Sequence, residues 1–184
     1  MSPSVVEPVS IHHSVVRLVR ADITELDVDA FVFCARPDLA LGSGFGTAIS
    51  VRGGPSIKKE LDELGPVQTG GAVVTGAGNL KADWIVHAVG PRFNEPDTEA
   101  KLRTTVLNAL KAAEEQGIER IALPPMGTGF YAVPLELCAR VMIDAIRSYL
   151  EGETGIREVV LCVMDQREQA PMESQLASLK PQEG

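Results

Sequence analysis

Ala30-Phe31-Val32-Phe33-Cys34, a loop from Ala35 to Gly44 that closes in Gly42-Ser43-Gly44, then Phe45-Gly46-Thr47-Ala48-Ile49 form the stretch from which the architecture is read. Its first five residues are a continuous apolar run of strand length, the pattern of a strand buried on both faces. The loop carries Pro37 and ends in glycines. Phe45, Ala48 and Ile49 then fall at helical spacing. A strand, a glycine-rich loop and a helix follow one another within twenty residues.

The same alternation runs outward in both directions. Upstream, Val15 to Val19 reads as a strand, and Asp22-Ile23-Thr24 as the cap of a short helical turn. Downstream, Pro55 suits the start of a helix with Ile57, Leu61 and Leu64 facing inward and Gly65 ending it. Ala72 to Thr75 and Trp84 to Val89 read as strands. Asp97 or Thr98 caps a longer helix striped by Leu102, Val106, Leu110 and Ala113 and stopped at Gly117. Ile121 to Leu123 is a short strand, Gly127-Thr128-Gly129 a loop, and Pro134 opens another helix. Val159 to Met164 is the last clear strand. The pattern predicts an α/β domain: a three-layer α/β/α sandwich around a mixed, mostly parallel central sheet. The expected division is an N-terminal arm or edge strand over 1–13, the domain over 14–165, and a polar tail over 166–184 that holds a last helix or is partly disordered.

With 184 residues, 45% of them hydrophobic, the chain suits one ordinary domain with its own core. No apolar run is long enough to span a membrane, and Met1 to Val16 lacks a basic region followed by an apolar one. The cytoplasm is therefore the expected compartment. The net charge is -8 and the isoelectric point about 4.9. That argues against nucleic acid, which is held by neutralising phosphates with Lys and Arg. Phosphate, if bound, should be held by backbone amides and helix N-termini.

Cys34, Cys138 and Cys162 are odd in number and far apart, so neither a disulfide framework nor a zinc site is expected. No metal or cofactor is called for. His12 and His13, read as neighbours on a strand, would point to opposite faces and share no metal. His87, in an apolar strand, reads as a structural histidine. The charged run from Lys58 through Glu63 reads as a solvated helix face.

Two loops remain. Gly42 to Gly46 is not the dinucleotide fingerprint, because Thr47 stands where the third glycine belongs, and no Lys follows as in a P-loop. Taken alone it is either a flexible turn or a cradle of bare amides at a helix start. Pro125 to Tyr131 follows a second strand and precedes a second helix. Ligands of such folds bind at the carboxyl ends of the strands, so both loops should meet at that edge. Together they can clamp a pyrophosphate from two sides.

At this point the chain resembles the macrodomain family, which binds ADP-ribose. The segments that carry the resemblance are Ala21 to Thr24, Val28 to Ala30, Gly42 to Ile49, Leu64-Gly65, Thr69 to Ala72, Ile85 to Pro91 and Pro124 to Tyr131, in that order, across roughly Val15 to Asp165. The resemblance implies that Asp22 accepts a hydrogen bond from the adenine amino group. Ile23 would lie beside the base or offer its amide. Gly42, Ser43, Gly44, Phe45 and Gly46, with Gly127, Thr128, Gly129 and Phe130, would hold the pyrophosphate. Tyr131 would pack on the distal ribose, and Met164 and Asp165 would approach the adenine. The partner implied is ADP-ribose or an ADP-ribosylated protein; oligomeric state is not implied.

The departures bear on activity. Many macrodomains have Asn-Ala-Ala-Asn where this chain has Phe33-Cys34-Ala35-Arg36. Arg36 therefore stands in for an Asn that contacts the distal ribose; it could bind the ribose, add charge near the phosphates, or fill the pocket. Hydrolytic members of the best-known subclass carry an Asp where this chain has Gly46. No carboxylate lies between Leu41 and Gly54, and Asp38 is the nearest. A second subclass uses an N-terminal Lys, but the first Lys here is Lys58. The glycine loop and Arg52-Gly53-Gly54 are closer to the histone-associated, non-hydrolytic members. The leading expectation is a binder of ADP-ribose without efficient hydrolysis. The alternatives are an ADP-ribosyl hydrolase using another base, and a degenerate domain whose pocket is filled by Phe33, Arg36 and Phe45.

Overall fold

The computed structural model describes residues 6–42, 45–92, 95–126 and 133–179. The strands are β1 (Val9–Ile11), β2 (Ser14–Arg20), β3 (Ala30–Cys34), β4 (Ala72–Gly76), β5 (Trp84–Ala88), β6 (Arg120–Leu123) and β7 (Glu158–Val163). The helices are α1 (Phe45–Gly53), α2 (Ser56–Leu64), α3 (Thr98–Glu115), α4 (Leu135–Glu151) and α5 (Gln166–Ala177), and a 3₁₀ turn spans Ile23–Glu25.

The strands form one sheet in the order β1-β2-β7-β6-β3-β5-β4. The five central strands pair in parallel, while β1 and β4 close the two edges antiparallel to β2 and β5. The sheet divides two apolar layers, and β3 shows how. Ala30 and Val32 face the layer packed under α3, α4 and α5; Phe31 and Phe33 face the layer under α1 and α2. A strand sandwiched in this way must be apolar at every position, which is why β3 shows no polar alternation.

Two local expectations take a different form. Asp97 occupies the cap of α3 with φ of 58° and no side-chain cap bond. His12 and His13 are not on a strand; they are the two-residue turn between Ile11 and Ser14, with ring centroids 3.9 Å apart. The opposite-faces argument therefore does not apply to them. Among the described residues no group of three or more His, Cys, Asp or Glu is placed to hold a metal, and no helix is long and apolar enough to cross a membrane.

The segment after β7 is helical through Ala177. Asp165 caps α5 by accepting from the Glu168 backbone N–H at 3.0 Å, and the Glu168 carboxylate reaches back to the Met164 N–H at 2.8 Å. The helix buries Met172 and Leu176 in the layer it shares with α3 and α4.

Candidate functional site

The parallel strands β2, β7, β6, β3 and β5 all end at one edge of the sheet. Asp22 stands there, two residues beyond β2. As N-cap of the 3₁₀ turn, its Oδ1 accepts from the Thr24 backbone N–H at 3.0 Å and from the Thr24 hydroxyl at 2.6 Å. Its Oδ2 accepts from Arg52 Nη1, on the last turn of α1, at 2.9 Å. The same Nη1 also donates to Thr24 Oγ1 at 3.0 Å. The Thr24 bonds first, and the Arg52 bond second, hold the Asp22 carboxyl below the usual carboxylate range. Asp22 is thus an ionised acceptor, with its side chain 42% exposed. Ile23 is buried in the layer under α1 and α2.

The neighbouring strand end completes this corner. The Ala21 N–H donates to the Val163 carbonyl at 3.1 Å, which places Asp22 beside the end of β7. Met164, next along, is 79% exposed, a large apolar side chain open to solvent beside Asp22. The Asp165 carboxylate is engaged in capping α5.

The loop between β3 and α1 is held by local bonds. Arg36 Nη2 pairs with Asp38 Oδ2 at 2.9 Å, and Asp38 Oδ1 accepts from the Ala40 N–H at 3.0 Å. Asp38, the nearest carboxylate to the glycines, is therefore occupied in shaping the loop. Gly42 has φ of +67°, a conformation that suits glycine. A Cβ there would stand 3.9 Å from Arg36 Cδ and Nη1, so the Arg36 side chain lies alongside the first glycine. Thr47 Oγ1 donates to the Gly42 carbonyl at 3.0 Å, tying the loop to α1. A Cβ on Gly46 would overlap the Leu41 carbonyl oxygen. The first turn of α1 has no acidic residue, so no side chain of that turn offsets the positive end of the helix dipole.

Beneath the loop, Phe45 lies 5.9 Å from Phe33 and 6.4 Å from Phe31 between ring centroids. Phe33 is buried among core residues, and Phe45 is 39% exposed. Phe33 also packs edge-on against His87, 6.0 Å away. His87 is fully buried, with Nε2 2.9 Å from Thr75 Oγ1, and burial lowers its pKa to about 4. It is neutral at physiological pH and lies under the loop as part of the core.

The second loop starts from Met126, which is buried. Its N–H points at Met142 Sδ at 3.3 Å, and Cys138 Sγ donates to its carbonyl at 3.0 Å. Burial pushes the Cys138 and Cys162 thiols up, the latter to about 12, so both behave as apolar groups. Ser43, Gly44, Gly127, Thr128, Gly129, Phe130 and Tyr131 lie outside the described residues. What is on view is the pair of strand ends from which their loops depart: β3 and β6 are adjacent and parallel, with Phe31 opposite Ala122.

Arg52 is the residue sequence reasoning missed as a site group. It lies thirty positions from Asp22, and no spacing rule joins a helix C-terminus to the cap of a turn after another strand. The only signal was its place in Arg52-Gly53-Gly54.

Comparison with known proteins agrees with this architecture. The family model described as Macro domain matches residues 32–142. A macro domain-containing protein of Caldanaerobacter subterraneus is 37% identical over 159 residues, covering 83% of this chain and 90% of the relative. An uncharacterized protein of Saccharolobus solfataricus is 40% identical over 150 residues, 79% of this chain and 83% of the relative. Among solved structures, a mutant Oceanobacillus iheyensis macrodomain with ADPR superposes with a TM-score of 0.88 at 25% identity, covering 94% of this chain and 97% of that one. The Trypanosoma brucei macrodomain in complex with ADP-ribose superposes with a TM-score of 0.81 at 26% identity, covering 86% and 68%. The chain belongs to the macrodomain family.

Proposed function

We propose that this macrodomain binds ADP-ribose, free or attached to a protein, at the carboxyl edge of its sheet and does not hydrolyse it efficiently. The observation that carries the reading is Asp22. It is an ionised carboxylate at a strand end, half exposed, and suited to accept from an exocyclic amino group. The start of α1 beside Gly42 and Gly46 offers amides and a helix dipole to the pyrophosphate. Arg36, lying along Gly42, adds a positive charge in a protein whose net charge is -8.

The absence of efficient turnover is supported by Gly46. The Leu41 carbonyl occupies the space where a side chain at this position would begin. Asp38, the nearest carboxylate, is paired with Arg36. Neither leaves a free base near the glycines to activate water. Phe33 packs into the core beneath the loop, which favours an open site over one filled by aromatic rings.

The test is Asp22→Ala. Losing a charge-assisted hydrogen bond of about 1.5–3 kcal/mol should weaken ADP-ribose roughly 10- to 100-fold. Equal affinity in the variant and the native protein, measured by titration calorimetry, would remove the adenine assignment.

A further inference from the structure

The Asp22 carboxylate is held from two sides that do different things. Thr24 is only 2% exposed, so its two bonds to Oδ1 anchor the carboxylate to the core. Arg52 reaches Oδ2 from a separate element, α1, and closes a ring of bonds by donating to the Thr24 hydroxyl as well. Among the described residues Oδ2 takes one donor, which leaves it a lone pair for a second. Arg52 itself carries only donors and so cannot receive an N–H from any ligand.

Resting on the adenine reading above, we infer that Arg52 is the positioning residue for base recognition: it fixes the rotamer of Asp22 so that the second lone pair of Oδ2 faces an incoming amino group. Without Arg52, Thr24 still holds Oδ1, but Oδ2 has no donor among the described residues and the carboxylate plane can rock about that anchor. The carboxylate then loses the orientation that distinguishes a base bearing an amino group from one without it. Arg52 is 49% exposed in its side chain, so its removal leaves the core untouched. Its ion pair with Asp22 is of the exposed kind that adds little to stability.

The experiment is a double-mutant cycle. Affinities are measured by calorimetry for native protein, Arg52→Ala, Arg52→Lys, Asp22→Ala and the Asp22→Ala/Arg52→Ala pair. The ligands are ADP-ribose and its analogue whose purine lacks the 6-amino group. Arg52→Ala should weaken ADP-ribose roughly tenfold, the scale of one misaligned charge-assisted bond, with an unchanged melting temperature. Arg52→Lys should restore most of that affinity. The same change should leave the des-amino analogue unaffected, and it should add nothing in the Asp22→Ala background. An Arg52→Ala protein that binds ADP-ribose as well as, or better than, the native protein would overturn the inference. A loss that is equal for both ligands, or that persists without Asp22, would overturn it too, because Arg52 would then touch the ligand directly. Native protein that binds no ADP-ribose would overturn the functional reading itself, and the inference with it.

Discussion

His87 shows how one residue couples the core to pH. Its pKa is about 4 in the folded chain against 6.5 for a free histidine, and the cause is burial. Between these values the unfolded chain binds a proton that the folded chain refuses. Stability is therefore full above pH 6.5 and falls as pH drops toward 4, by about 3 kcal/mol over the whole range. The urea midpoint should drop between pH 6.5 and 5 in the native protein and stay nearly level in His87→Gln. A flat native profile would show that His87 charges in place. Gly46 makes a second residue-scale prediction. A methyl group there meets the Leu41 carbonyl, so Gly46→Ala should lower stability by about 1–3 kcal/mol, the range for overpacking. For the same reason Gly46→Asp should not install turnover, and release of ADP-ribose from a modified protein by that variant would refute this. The role of His87 was legible because an apolar strand admits a histidine only if it is neutral; Nε2 meets Thr75 Oγ1, while Nδ1 is buried without a partner among the described residues. The role of Arg52 was not legible, because its partner lies thirty positions away on another element.

At the scale of elements, β3 was legible for a simple reason: a parallel strand covered on both faces carries apolar residues throughout, and Ala30 to Cys34 do. The hairpin at His12 and His13 was harder to read, because its turn consists of two histidines instead of glycine or asparagine, and His12 adopts φ of 55°. The helix α5 was only half legible. Its composition is polar, but Asp165 followed by Glu168 is a capping signature, and Met172 and Leu176 stand four apart on one face. Leu176 is 1% exposed against α4's layer. Leu176→Ala should therefore destabilise the whole fold by about 2–5 kcal/mol, the usual range for a buried leucine, in one cooperative denaturation transition. A change below about 1 kcal/mol, at the low edge of that scale, would mean that α5 is not part of the cooperative unit.

Over the whole molecule, function follows from where the parallel strands end. Five of them run the same way, so their loops gather at one edge, and the helices that follow point their N-termini there. The Asp22 corner, the Gly42 turn and the departure of the second loop after β6 meet at that edge. The excess of acidic residues, 25 against 17 basic, gives an anionic ligand no net attraction to the molecule as a whole. Under the proposed reading, binding is local, through loop amides and the charge of Arg36, with Arg52 acting through Asp22. The proposed function makes this edge a working ADP-ribose pocket. Its most direct test is a calorimetric titration of the purified protein with ADP-ribose, and with AMP as control. AMP carries the adenine but lacks the pyrophosphate and distal ribose. Saturable one-to-one binding of ADP-ribose, clearly tighter than that of AMP, is the expected result. Folded protein that gives no heat with ADP-ribose at several temperatures would contradict it.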